Sequence, residues 1–287
     1  MRLVSALTAT LVVWNLGGCA TAPPRGSVPG PDRQAAAATA AAIERALGGD
    51  HRAPGHGARD AQRHPKETLM FFGLRADMTI VEVWPGGAGW YTEILAPVLR
   101  ERGRLYAAHW DPALGSQYVQ QGLAAYQEKL GSRPDLYDRI VVTALSASNA
   151  YEIAPPGSAD LVLTFRNVHN WMAAGWAPQA FARMYQALKP GGILGVVEHR
   201  GDPTIPQDPK ATSGYVNANF VTELARAAGF ELLASSEINA NPRDTKNYEA
   251  GVWSLPPNFR LRDQDRSRYE SIGESDRMTL KFLKPDR

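Results

Sequence analysis

The sequence predicts an α/β protein built on one doubly wound, mostly parallel sheet with helices on both faces. From Met78 onward, short β-branched runs alternate with longer amphipathic stretches, the two periodicities that mark strands and helices. Strands separated by helix-length segments require right-handed crossovers, which cover both faces of a parallel sheet. Between the first strand and the first crossover helix stands a glycine-rich joint, "VEVWPGGAGWYTEIL" at residues 81–95. Sheets of this kind open their ligand crevice at that position.

The chain has 287 residues and a formal net charge of +2. That length suits one well-buried domain of roughly 200–250 residues with appendages. A charge so small and so dispersed gives no basic face for nucleic acid or an anionic membrane, which points to a small-molecule partner. The first residues, "MRLVSALTATLVVWNLGGCATAPP", place one arginine before an apolar run and then small residues, the layout of a signal peptide over residues 1–18. "LGGC" resembles a bacterial lipobox, in which the cysteine becomes lipidated and starts the mature chain. The expectation is an exported protein, lipid-anchored through Cys19 to the bacterial envelope and facing the periplasm. Cys19 is the only cysteine, which excludes an intramolecular disulfide and a cysteine-based metal site. Residues 19–60 read as a Pro- and Ala-rich tether followed by an Ala-rich helix, "AAAATAAAIERAL". Residues 61–287 read as the domain proper.

Its elements follow in order. "TIVEVW", "RLYAAHW", "RIVVTAL", "ADLVLTF", "GILGVVEH", "FELLASS" and a final "DRMTLKFLKP" are strands, seven in all. "WYTEILAPVLRER", "QYVQQGLAAYQEKL", "APQAFARMYQALK" and "VNANFVTELARAAG" are the helices between them. The segment "HRAPGHGARDAQRHPKETLMFFGL" mixes histidines and arginines with glycine and proline and reads as simple cover over the domain, the lesser alternative being that Arg59 or Arg63 reaches a ligand. Before the last strand, residues 239–275 form a long irregular insertion, the length of a lid or binding loop rather than a simple connection.

Glycines in the first crossover allow positive φ and close approach of a ligand, and the next helix offers unpaired N–H groups. A dinucleotide requires G-x-G-x-x-G, whereas reading from Gly87 gives "GAGWYT", with Thr92 in place of the third glycine. A sulfonium nucleoside requires an acid for its ribose diol, and Asp111, after "RLYAAHW", stands where that acid belongs; a helix N-cap is the competing role. His169 and His199 fall at carboxyl ends of strands, and because a histidine can titrate near neutral pH they are the candidate catalytic residues, with a structural hydrogen-bonding role as the alternative for each. Arg166 and Arg200 beside them suit an acidic acceptor or rim ion pairs. Tyr215, Asn217 and Asn219 open a helix at the same mouth, and Trp171, Trp176, Trp253 and Phe259 suit either a flat acceptor or the core.

The series "VEVWPGGAG", "HWD", "ADLVLTFRNVHNW", "LKPGGILGVVEH" and "RMTLKFLKP" resembles the motifs of class I S-adenosylmethionine-dependent methyltransferases, over about residues 70–285. "VEVWPGG", "RNVHNWM", "EHR" and "ESDRMTLKF" are similar to a bacterial group of predicted methyltransferases. The resemblance implies a Rossmann-like seven-stranded sheet, S-adenosyl-L-methionine as cofactor and methyl transfer to a small-molecule acceptor. It implies that Glu82 orients the cofactor through the loop, and that Gly86, Gly87 and Gly89 turn against its methionine part. By the same resemblance Asp111 holds the ribose, residues 144–146 lie near the adenine, and Asn167 with His169 faces the methyl group and acceptor. The pattern departs at Trp84, where the family has its first glycine, and at Ala88. Those departures, and a cytoplasmic cofactor set against an exported chain, keep two other readings open: a non-catalytic envelope module that binds a small ligand, and a nicotinamide-dependent oxidoreductase.

Overall fold

The computed structural model describes residues 33–148 and 151–286; the expected signal peptide and Cys19 lie outside the described residues. The chain runs α1 (Arg33–Leu47), α2 (Asp60–Arg63), α3 (Pro65–Phe72), β1 (Thr79–Val83), α4 (Thr92–Leu99), β2 (Arg104–His109), α5 (Gln117–Ser132), α6 (Pro134–Tyr137) and β3 (Val141–Ala144). It continues β4 (Ala159–Phe165), α7 (Val168–Ala174), α8 (Ala177–Ala187), β5 (Leu188–His199), α9 (Ala218–Ala227), β6 (Glu231–Ser236), α10 (Arg266–Ile272) and β7 (Arg277–Leu283). The seven strands form one sheet in the order β3-β2-β1-β4-β5-β7-β6. β7 is antiparallel to both of its neighbours, and the remaining pairs are parallel. Strand order reverses between β1 and β4, which opens a crevice at their carboxyl ends. Among the described residues no helix is long and apolar enough to cross a membrane.

Alternate residues of the central strands feed two cores, which is why these strands read as continuous apolar runs. Ile80, Leu161, Leu163 and Val197 meet Ile43, Phe72, Ile94 and Leu95 on one face. Val81, Val162, Leu194 and Val196 meet Trp171, Phe181, Met184 and Val221 on the other. Helix α1 packs on α3 and α4 and buries Ile43 and Ala46. The packed domain therefore begins with this helix and not near residue 61; alanines on a stripe with one isoleucine suffice because their small size lets α4 approach.

The glycine joint owes most of its composition to α5. A Cβ on Gly87 would lie 3.0 Å from Gly122 Cα and 3.1 Å from Gly122 O, and one on Gly89 would lie 3.0 Å from the Tyr126 ring. Gly122 is bare in turn because its Cβ would meet the Trp110 ring at 2.3 Å. Gly122→Ala is expected to destabilise the protein, since overpacking costs about 1–3 kcal/mol against the ~1 kcal/mol that alanine gains in a helix. Gly131→Ala, at an open position of the same helix, is expected to raise the denaturant midpoint. A Gly122→Ala midpoint at or above wild type would show that Trp110 yields freely.

The insertion between β6 and β7 folds on itself. A 3-10 turn at Gly251–Ser254 and helix α10 gather Tyr248, Val252, Leu255, Tyr269 and Ile272 with Tyr215 into a small third core. This core seats the insertion over the crevice.

Candidate functional site

A cavity of about 500 Å3 occupies the crevice. The ends of β1, β4 and β5, helix α2 and the insertion all contribute to its wall. Of the residues singled out in the sequence, Glu82, Gly86, Asn167, His169 and His199 line it, together with Arg59, Arg63, Arg166 and Trp253. Gly87, Gly89 and Asp111 do not.

Glu82 ends β1 fully buried, and its Oε2 accepts from Thr92 Oγ1 at 2.7 Å, while Thr92 Oγ1 lies 3.1 Å from Tyr126 Oη. Burial pushes its carboxyl up to about 7, against the Thr92 hydrogen bonds that favour the ion. Glu82 thus ties β1 to α4 and α5. Gly86 has φ +70°, and a Cβ there would meet open space, so this glycine is the one whose bare backbone faces the cavity. Asn167 follows β4 and donates from Nδ2 to Val83 O (2.9 Å) and Thr164 Oγ1 (3.2 Å), which fixes the width of the gap between β1 and β4. Asp111 is only 7 % exposed and is engaged locally: Oδ1 accepts from Ala113 N–H at 2.8 Å, and Tyr151 bonds the same carboxylate. It closes a turn and is not a helix N-cap, since the next helix, α5, is capped by Ser116.

Trp84 lines the crevice on the side of β2 and β3. Its backbone sits at φ +50°, a left-handed conformation rare for a bulky residue. Its N–H continues the pairing of β1 with Ala108 O, and its indole Nε1 donates to Leu145 O, beyond β3, at 3.0 Å. The ring makes edge contacts with Trp110, Trp171 and Trp176 at centroid distances of 6.2, 5.7 and 5.6 Å. The indole therefore spans the ends of β1, β2 and β3, beside residues 144–146, which the resemblance sets near the adenine.

Glu198, fully buried at the end of β5, organises the opposite end. It accepts from Val168 N–H (2.6 Å) and His199 N–H (2.8 Å), and its Oε1 lies 3.0 Å from His169 Nδ1. In the neutral ring, a carboxylate there favours the tautomer that carries its proton on Nδ1. His199 Nδ1 bonds Ser275 Oγ at 2.6 Å, and the two imidazole rings are 5.3 Å apart. Burial holds His199 well below the usual histidine range, reinforced by His169, Arg166, Arg277 and Arg63. His169, Glu198 and His199 have metal-ligand spacing, but the Glu198 oxygens are consumed by N–H donors from α7 and β5, and the surroundings are cationic.

Those cations gather on one carboxylate. Glu274, from the insertion, accepts from Arg59 Nε (2.7 Å), Arg63 Nε (3.1 Å to Oε2) and Arg277 Nη1 (3.0 Å), with Arg166 Nη1 at 3.9 Å. Burial alone would raise its carboxyl, but Arg63, Arg277, Arg166 and Arg59 together hold it at about 2. Arg63 is 1 % exposed and lies over the Trp90 ring, 4.6 Å from its centroid. Arg200 does not line the cavity; it pairs with Asp276 and Glu237. Tyr215 bonds Asp244, Asn217 Nδ2 donates to Ile205 O, and Asn219 is exposed on α9. Sequence reading missed Glu198 and Glu274. Glu198 left one signal, a charge inside the apolar run "ILGVVEH", where only an anchored carboxylate survives burial.

The chain has the fold of class I methyltransferases. Over 85 % of its length it superposes on 98 % of a SAM-dependent methyltransferase from Aquifex aeolicus, with a TM-score of 0.53 and 13 % identity. Over 86 % of its length it superposes on 93 % of the [4+2]-cyclase SpnF, with a TM-score of 0.55 and 17 % identity. No protein-family model and no curated protein sequence matches the chain. The cyclase neighbour illustrates that this fold hosts more than one reaction.

Proposed function

We propose that the chain binds S-adenosylmethionine in this crevice and directs methyl transfer to a small-molecule acceptor. The observation that carries the reading is the cavity at the β1–β4 reversal, with Gly86 bare on one side and Asn167 and His169 on the other. The methionine half of the cofactor suits these residues: Gly86 leaves room for it, and the buried Glu82 holds the loop that bears Gly86. The nucleoside half requires the Trp84 indole to swing away from Leu145 O, so binding carries the cost of that displacement. When bound, the group supplies a methyl carbon activated by a sulfonium, so that positioning contributes much of the rate. His169, oriented through Nδ1 by Glu198, presents Nε2 as the base for an acceptor that loses a proton. His199, kept neutral, hydrogen-bonds without adding charge.

The Trp84 placement favours a second reading, a small-ligand binding module that keeps the fold and fills the nucleoside end with its own side chain. Calorimetric titration with S-adenosylhomocysteine separates the two. Methyl transfer predicts saturable binding to the wild-type protein, abolished by Gly86→Val, whose side chain would enter the cavity, while the melting curve stays cooperative. Absence of binding to both the wild-type protein and a Trp84→Gly variant would overturn the methyltransferase reading.

A further inference from the structure

We propose that the arginine end of the cavity is an anion subsite that anchors the carboxylate of a small, flat organic acid, which in the reading above is the acceptor. Four guanidinium groups, from Arg59, Arg63, Arg166 and Arg277, surround the single carboxylate of Glu274, whose one negative charge offsets only one of theirs. Arg63 forms one wall of the cavity and is 1 % exposed, yet both of its terminal nitrogens, Nη1 and Nη2, lack a hydrogen-bond partner among the described residues. Arg59 Nη2 is in the same condition. Buried donors of this kind are costly unless something accepts from them, and a guanidinium edge matches a carboxylate in bidentate geometry.

Arg166 adds a second, independent sign. It lines the cavity with φ +61°, its nearest acidic contact is 3.9 Å away, and its side chain is one quarter exposed. A non-glycine residue held in the left-handed region beside a cavity stores strain that a packed framework must impose. Here the framework is α7, whose first turn is clamped by Glu198. The rest of the wall suits a flat body: Trp90, Phe165, Trp253 and Tyr91 face the cavity, the last stacked on Phe165 at 3.5 Å with 9° between the rings. The His169 and His199 rings flank the same space. An aromatic acid seated on the arginines thus lies within the volume that His169 borders.

The subsite is tested without any cofactor, using benzoate and its neutral isostere benzamide on the intact protein. Benzoate is expected to bind saturably and benzamide at least about tenfold more weakly, because only the anion meets the guanidinium groups. Arg166→Gln, which leaves the three tighter partners of Glu274 in place, is expected to weaken benzoate by at least about tenfold with an unchanged melting temperature. Equal affinity for the two probes, or an unchanged benzoate affinity in Arg166→Gln, would overturn the subsite. Competition distinguishes the source of the anion. If S-adenosylhomocysteine displaces benzoate and 5′-methylthioadenosine, which lacks the amino-acid carboxylate, does not, the arginines hold the nucleoside ligand's own carboxylate and the acceptor assignment falls. Benzoate binding with no response to S-adenosylhomocysteine in wild type or Trp84→Gly would keep the subsite and remove methyl transfer.

Discussion

Glu274→Gln destabilises the protein by about 3–5 kcal/mol at pH 7, the range for breaking one partner of a buried ion pair and leaving the other charge stranded. The carboxylate is buried, and Arg59, Arg63 and Arg277 all bond to it. An amide keeps the shape and one acceptor oxygen but leaves three guanidinium charges without a counter-ion. The pH dependence identifies the charge as the cause. A carboxyl held at about 2 in the folded state and near 4.5 when unfolded contributes stability that is complete above pH 4.5. That contribution is lost as pH falls from 4.5 toward 2. The gap between wild type and Glu274→Gln in urea midpoint should therefore be widest near pH 7 and shrink by pH 3. A gap of under about 1 kcal/mol at pH 7 would mean that the arginines turn out to solvent once released.

Trp84→Gly changes stability and binding in opposite directions. Loss of a large aromatic side chain from a packed site costs about 3–5 kcal/mol. Trp84 is only partly buried, which favours the low end, and glycine relieves the ~1–2 kcal/mol of a left-handed L-residue. A net loss of about 2 kcal/mol is expected in denaturant unfolding. Affinity for S-adenosylhomocysteine is expected to rise at least about tenfold, because the indole no longer competes for the space beside Leu145. Unchanged affinity would show that the nucleoside does not lie where the indole now rests.

The strand and crossover pattern was legible because each central strand is buried on both faces and advertises itself as an apolar run; "ADLVLTF" matches β4 residue for residue. The short helices were harder. α2 and α3 meet at His64, which adopts a left-handed conformation before Pro65, and four- and eight-residue helices leave too few turns for a periodic pattern to stand out. α7 was hidden for the same reason, although it carries His169. The glycine joint shows a different limit. Gly86, Gly87 and Gly89 look alike in sequence, but the first faces the cavity while the other two make way for α5. A bare residue announces that something comes close without saying whether it is a ligand or a neighbouring helix. Pairings such as Arg63 with Glu274, 211 residues apart, leave no local trace at all.

That same distance sets the order in which the binding pocket comes into being. Two of its arginines, Arg59 and Arg63, come early in the folded unit, Arg166 follows β4, and Glu274 with Arg277 arrives only with β7, so a chain growing from its N-terminus holds an incomplete socket until that strand is delivered.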